Sequence, residues 1–404
     1  MTAFGQSSIG RVSHRHAFRN RSDNLLLLPL CALVLVGLFV PQDAVGNLTW
    51  SKDEVLNENM TAAFVTPNNA RSIAVDAAGM AHVVFSGNID FYYNIYYRKR
   101  DREGWGKLEQ VNVSASTSST PTLALGPKDA VYVVWSDNPA GNWDLFFSAR
   151  LNGKWTFPEN LTADSSSSLF PALCHSPDGK LHLVWEDRQG TMSRIVYSVR
   201  SGSRWSSPIC LSQKGSDATA PSIDVSPIGT VHCVWTEETR KKKEVVYREF
   251  SKGAWEKSVR LSKPSSFANR PSLAVGKSGG VHIAWEDHNF TNPAICYRER
   301  KAKHWQREVR LTNGSSKAFR PTVAVGPRSV VYIAWYDDRW GATEAVYCSR
   351  KEGKWSQPFR LSFSQAPTYF VSIATGDDGS VHTIFQDKRR GNYDVYYRIG
   401  EPKK

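Results

Sequence analysis

Pro271-Ser-Leu-Ala-Val275, Val281-His-Ile-Ala-Trp285, Ala294-Ile-Cys-Tyr-Arg298 and Trp305 through Leu311 are four short apolar-rich segments separated by Gly-, Lys- and Asn-containing turns. Branched aliphatic and aromatic residues favour strands. Strands this short, joined by tight polar turns, predict an antiparallel meander. No stretch sustains a 3.6-residue apolar period, so almost no helix is expected.

The same four segments recur at a shift of fifty. Arg71, Pro121, Pro171, Pro221, Pro271, Pro321 and Val371 fall in register, as do Phe85, Trp135, Trp185, Trp235, Trp285, Trp335 and Phe385. Tyr97, Phe147, Tyr197, Tyr247, Tyr297, Tyr347 and Tyr397 form a third column. A lone four-stranded sheet cannot bury both faces, whereas sheets stacked around an axis can. The expected fold is an all-β, seven-bladed β-propeller of four-stranded antiparallel blades. The seventh copy ends after Tyr397 without its fourth strand. Trp50 and Leu56 carry the spacing of Trp155 and Leu161, so residues 49–56 are expected to complete that blade and remove the open edges.

The 404 residues carry a net charge of +13, with Trp 14, Tyr 15, Phe 18, Gly 28 and Pro 20. Residues 1–46 hold four arginines and two acids, which leaves +11 on the rest. A basic surface suits anionic glycans, phosphate or lipid headgroups. The longest basic run, Arg240-Lys241-Lys242-Lys243, falls at an expected hairpin tip and reads as a solvated turn. No nucleic-acid partner is expected.

Leu25–Val40 is apolar but for Pro29, follows a basic segment and precedes Ala44-Val45-Gly46. This is the pattern of a secretory signal peptide, and the run is short for a spanning helix. Residues 1–46 are therefore read as a signal peptide or N-terminal membrane anchor, and 47–404 as one propeller that is secreted or otherwise extracytoplasmic. Membrane association is expected only through an uncleaved N-terminal segment. Cys174, Cys210, Cys233, Cys296 and Cys348 are odd in number, lack zinc spacing and fall on different strands, so mostly buried free thiols are expected. Asn47, Asn59, Asn112, Asn160, Asn289 and Asn313 begin Asn-x-Ser/Thr sequons, which matter only in a host that glycosylates secreted proteins.

Kelch-type double glycines do not recur, and Trp143-Asp144 is a lone Trp-Asp dipeptide. Pro221-Ser-Ile-Asp-Val225, Val231-His-Cys-Val-Trp235 and Trp185-Glu-Asp-Arg188 resemble the bacterial neuraminidase repeat of sialidase-like propellers over residues 50–398. The family's Asp-box is degenerate here: turns such as Asn152-Gly-Lys-Trp155 and Glu352-Gly-Lys-Trp355 keep the Trp and lack the Asp. The resemblance implies, for an active sialidase, three arginines gripping a carboxylate, a Tyr nucleophile with a Glu partner, and an Asp acid. The matching candidates are Arg71, Arg270, Arg320 and Tyr369. Phe319-Arg320-Pro321 resembles the family's Phe-Arg motif, and no Glu is assigned to Tyr369.

His82, His182, His232, His282 and His382 share one second-strand position, which Tyr132 and Tyr332 fill elsewhere. Equivalent positions on separate blades lie too far apart to share an ion, so satisfied inter-blade histidines are expected, with no metal and no cofactor. Asp137, Asp187, Glu237, Asp287, Asp337 and Asp387 follow the second strand and read as turn caps, with Arg188, Arg339 and Arg389 as potential partners.

Departures from the repeat carry the ligand reading. The start of the third strand is aromatic in three copies, Tyr93, Trp143 and Tyr393, which are neighbours in a closed ring. Asp144 and Asp394 follow two of them, and Trp340 projects from the adjacent copy. Rings beside carboxylates and amides suit a sugar, whose apolar face stacks while its hydroxyls bond; the same rings could also simply extend the packing. The resulting reading is a carbohydrate-binding sialidase-like propeller that recognises acidic glycans without hydrolysis. An exo-alpha-sialidase and a protein-interaction platform are the alternatives.

Overall fold

A computed structural model describes residues 48–66, 71–89, 91–239, 242–263 and 267–403. The proposed signal or anchor segment, Asn47, Arg240 and Lys241 lie outside them. Seven antiparallel sheets are present. Among the described residues the only helical element is the single turn Pro327–Ser329, and none is long and apolar enough to cross a membrane.

Blade two is typical. Its strands are Ser118–Leu125, Val131–Asp137 and Asp144–Leu151, followed by an outer strand broken into Lys154–Trp155 and Glu159–Asn160. Blades three to six repeat this order. In blade one the inner strand is split into Ala62–Phe64 and Ile73–Val75. Blade seven comprises Thr368–Thr375, Val381–Asp387 and Asp394–Pro402, and its outer strand is Leu48–Trp50 with Glu54–Val55. The registers Trp50↔Gly400 and Glu54↔Tyr397 establish the closure expected from the missing seventh outer strand.

The fifty-residue columns become rings of contacts. Trp135, Trp235, Trp285, Trp335, Phe85 and Phe385 are fully buried between blades, and Trp185 nearly so. Each third-strand ring meets the outer-strand Trp of the next blade edge-on, from Tyr97–Trp155 at 5.4 Å through Tyr297–Trp355 at 4.9 Å. Tyr347–Trp50 (5.1 Å) and Tyr397–Trp105 (4.8 Å) carry the pattern across the joint. Such pairs add about 0.5–1.5 kcal/mol each beyond area burial.

The second-strand histidines are satisfied, but by their own blade. His82, His182, His232, His282 and His382 bond through Nδ1 to the Tyr hydroxyl of the adjacent third strand, at 2.6–2.7 Å. The expected inter-blade partner is thus corrected: antiparallel pairing sets each His beside the neighbouring third strand. Cys174, Cys233, Cys296 and Cys348 are buried, as expected, whereas Cys210 is exposed because it lies on an outer strand.

Candidate functional site

Antiparallel pairing puts the start of the first strand, the end of the second and the start of the third at one end of every blade, here called the upper face. The first strand is bulged there in six blades, with register shifts such as Ser119/Thr122 and Phe319/Thr322. The bulge residues Thr120, Phe170, Ala220, Arg270, Arg320 and Phe370 have φ of 48–54°. Non-glycine residues adopt this region at a cost of about 1–3 kcal/mol, and a bulge re-aims the side chain it carries. The cost is offset where the preceding blade caps the bulge. Glu186 accepts the Ala220 N–H (2.6 Å), Thr236 the Arg270 N–H (3.0 Å) and Glu286 the Arg320 N–H (2.8 Å).

The bulge backbone repeats, but its side chains do not. On the side of blades seven to three it presents Phe370 from blade seven, Thr120 from blade two and Phe170 from blade three. These join Tyr93, Trp143, Phe64, Val65, Ser86, Gln386 and Thr117–Ser119 around a cleft of about 530 Å³. Phe64 sits between Tyr93 (5.6 Å) and Tyr393 (5.5 Å), so it links the two expected aromatics. Aromatic walls with a few hydroxyls and one amide are the makeup of a small-molecule or sugar site.

On the side of blades five and six the same positions are Arg270 and Arg320. Arg320 lies over Phe370 at 4.8 Å, which joins the arginine to the cleft wall. Glu286 is fully buried. It pairs with Arg270 (2.5 Å) and His288 (3.0 Å). Burial alone would raise this carboxyl; His288, Arg270 and the Arg320 N–H outweigh it and hold the pKa below the usual range. Arg320 is shifted down by burial and then by the nearby Arg270 charge, with Tyr336 opposing. Glu186 has less compensation, and burial pushes it up to about 7. Tyr369 packs edge-on against Tyr336 (5.4 Å) and lies 6.5 Å from Tyr393. A chain of rings therefore runs from the cleft to the arginines.

Other expected site residues lie elsewhere. Arg71 reaches Asp224 of blade four at 2.5 Å, so it is not grouped with Arg270 and Arg320. Asp144 accepts from Asn160 (3.0 Å) and Asp394 from Asn57 (2.9 Å); both bonds tie the third strand to the outer one. Trp340 meets the Arg339 and Arg360 guanidinium groups, each 5.2 Å from its ring centre, and does not line the cleft. The acidic column caps turns: Asp137 accepts from Ser118 (2.6 Å), and Asp337 and Asp387 pair with Arg339 and Arg389. Asp187 pairs with Arg194, not Arg188, because the longer hairpin of blade three brings Arg194 opposite it in register. Among the described residues no group of three or more His, Cys, Asp or Glu is placed to hold a metal ion.

Sequence reasoning missed Phe64, Phe170, Phe370, Tyr336, Glu286 and His288. The available signal was variation at the bulge column, which runs Thr, Phe, Ala, Arg, Arg and Phe while the next position is Pro in five of the six copies.

No family model matches the chain, and no curated protein does. Solved structures match at low identity. An ulvan lyase described as a new polysaccharide lyase family, bound to -[GlcA(1-4)Rha3S]-, has a TM-score of 0.60 at 10% identity, over 85% of this chain and 95% of its own. A protein of unknown function from Dyadobacter fermentans has a TM-score of 0.57 at 11% identity, over 72% and 96%. A subtype N10 neuraminidase-like protein of A/little yellow-shouldered bat has a TM-score of 0.50 at 10% identity, over 71% and 94%. At these identities the likeness establishes the fold, a β-propeller with sialidase-like and polysaccharide-lyase chains among its structural neighbours.

Proposed function

We propose that this chain is an extracytoplasmic carbohydrate-binding propeller that takes acidic glycans on its upper face without hydrolysing them. The observation that carries the reading is the cleft in which Tyr93 and Trp143 meet Phe64, Phe170 and Phe370. Rings there can stack on sugar faces, and the accessible hydroxyls of Thr117 and Ser119 can bond those of a sugar. Arg320 and Arg270 supply positive charge beside Phe370, which favours a carboxylated or sulfated sugar over a neutral one. The ulvan lyase neighbour, bound to an acidic disaccharide, is consistent with this class of ligand. Engagement of Arg71 by Asp224 argues against the three-arginine grip of a sialidase.

The test is a glycan array carrying uronate-, sialate- and sulfate-bearing oligosaccharides beside neutral ones. Signal on acidic glycans that disappears in Trp143→Ala is expected. Silence, or binding to neutral glycans alone, would refute the reading. Export is tested by amino-terminal sequencing of the secreted protein: a start after Gly46 is expected, and retention in the cytoplasm refutes an extracytoplasmic role.

The contact of Tyr369 with Tyr336, and the proximity of Tyr336 to Arg320, favour a second reading as an exo-glycosidase of sialidase type. Release of fluorophore from a sialoside, abolished by Arg320→Ala, would replace recognition with catalysis.

A further inference from the structure

Blade two departs from the repeat in a second place, on the lower outer rim, away from the cleft. Leu151 and Phe157 are 45% and 97% exposed. Every other copy carries a polar or charged residue at these positions, such as Asp101, Ser201 and Lys301 for the first and Lys107, Ser207 and Arg307 for the second. The third-strand ring also changes: Phe147 stands where the other six copies have Tyr, and Tyr132 replaces the usual His. These four residues line one groove of about 440 Å³ between blades two and three, together with Arg200. Exposed apolar residues scattered singly mean little, but a cluster confined to one copy of a repeat marks a contact surface.

Arg200 adds a charge requirement. At four other blade junctions the equivalent arginine meets a glutamate: Arg100 with Glu54, Arg150 with Glu109, Arg300 with Glu249 and Arg350 with Glu299. At the first-to-second junction, Glu109 accepts from Arg150 at 2.8 Å and from the Trp155 indole at 2.9 Å. At the second-to-third junction, Ala149 replaces the Glu of blades four and five. Arg200 Nε and Trp205 Nε1 are buried there without a hydrogen-bond partner, as are Arg100 Nε, Arg300 Nε, Trp105 Nε1 and Trp255 Nε1 at other junctions, so what sets this junction apart is the missing glutamate beside the guanidinium. Arg200 lies over Phe147 at 4.7 Å, as Arg100, Arg150, Arg300 and Arg350 lie over the Tyr of the neighbouring blade, but without their glutamate. Glu159, at the register of Glu54 and Glu109, lines the groove but is exposed and makes no ion pair with Arg200 among the described residues.

We propose that this groove docks a segment of a partner protein that presents a large apolar side chain beside an Asp or Glu. The apolar side chain packs against Phe147, Leu151 and Phe157, and the carboxylate pairs with the Arg200 guanidinium. Buried charge-assisted bonds to Arg next to aromatic anchors are typical of binding hot spots. Exposed Lys154 and Arg204 at the flanking hairpin tips steer an acidic segment toward the groove. The proposal stands apart from glycan recognition on the upper face.

The experiment is selection of a random dodecapeptide display library on the full chain. It is followed by titration of the enriched peptides against Phe157→Ser, Arg200→Gln and Trp143→Ala variants. Ser at 157 is the residue of the neighbouring blade, and the exposed position makes it neutral for folding; an unchanged thermal midpoint checks this. Peptides with Leu or an aromatic adjacent to Asp or Glu are expected. Their binding should weaken about tenfold or more in each groove variant and stay unchanged in Trp143→Ala. Glu159→Gln, which removes a competing carboxylate, should tighten it. Failure to enrich peptides, enrichment without acidic residues, or binding indifferent to Phe157→Ser and Arg200→Gln would overturn the proposal. So would a self-associating chain dispersed by Phe157→Ser in sedimentation, which would assign the groove to a second copy, or glycan binding lost in that variant.

Discussion

Arg71 of blade one and Asp224 of blade four, on opposite sides of the ring, meet with Nη2 and Oδ2 2.5 Å apart. Little space remains within the ring of inner strands, about 10 Å³ lined by Arg71 and residues such as Leu173, Leu273 and Thr322. Asp224 also accepts the Val275 N–H at 2.8 Å, so the pair braces blades one, four and five.

Arg71→Met should therefore act on stability and not on ligand binding. Breaking a fully buried pair costs about 3–5 kcal/mol. Because Arg71 is 38% exposed, solvent screening reduces the expected loss to about 1–2 kcal/mol. Urea unfolding measures it, and Arg71→Met with Asp224→Asn should recover part. A variant of normal stability that loses glycan binding would return Arg71 to the ligand site.

Trp143→Ala should weaken acidic-glycan binding about tenfold or more, since one stacking ring is removed. Trp340→Ala should leave it unchanged, because its ring lies outside the cleft and meets Arg339 and Arg360. Isothermal titration on a glycan that scores in the array distinguishes the two. Equal losses would extend the binding surface to blade six.

The buried histidines predict acid sensitivity. Burial lowers the pKa of His182, His232, His282 and His382 to about 4, and lowers His82 as well. These groups are neutral when folded and titrate near 6.5 when unfolded. The unfolded chain binds more protons below that value, so stability is full above about pH 7 and falls from about 6.5 toward 4. Urea midpoints at pH 7.5, 6 and 5 should decline in that order, and His282→Gln should flatten the slope. A midpoint independent of pH over this range would contradict the buried His–Tyr bonds.

Trp50→Ala should loosen the ring at its joint. The indole packs on Tyr347 and donates to its hydroxyl at 3.2 Å. Truncation should cost about 3 kcal/mol, as for other large buried rings. Hydrogen exchange provides the local readout. The Ser51 and Leu56 amides, bonded to Ile399 and Val395, should lose protection before the amides of blade four do. Uniform loss across blades would mean that closure is not a separate cooperative step.

Blade number, strand order and closure were legible because a fifty-residue column of Trp and Tyr is a direct image of inter-blade packing. The Tyr93, Trp143 and Tyr393 positions were legible as departures from that column. The arginine side was only half legible. Arg270 and Arg320 stood out, but Arg71, one register position on, escapes the bulge and points to Asp224 instead. Phe64 was invisible because it precedes the first repeat and enters blade one only through the split inner strand. Asp144 and Asp394 looked available in sequence; the outer-strand amides of Asn160 and Asn57, brought near only by folding, each take one of their oxygens.

The pairing of Leu48 with Pro402 has a topological consequence. Because both ends of the ring finish on one sheet, the blade at which the chain begins is not fixed by the order of blades in space. A short linker between residues 403 and 48, with new termini cut at the exposed Asn152-Gly153 hairpin tip, would yield a circular permutant with the same arrangement of sheets.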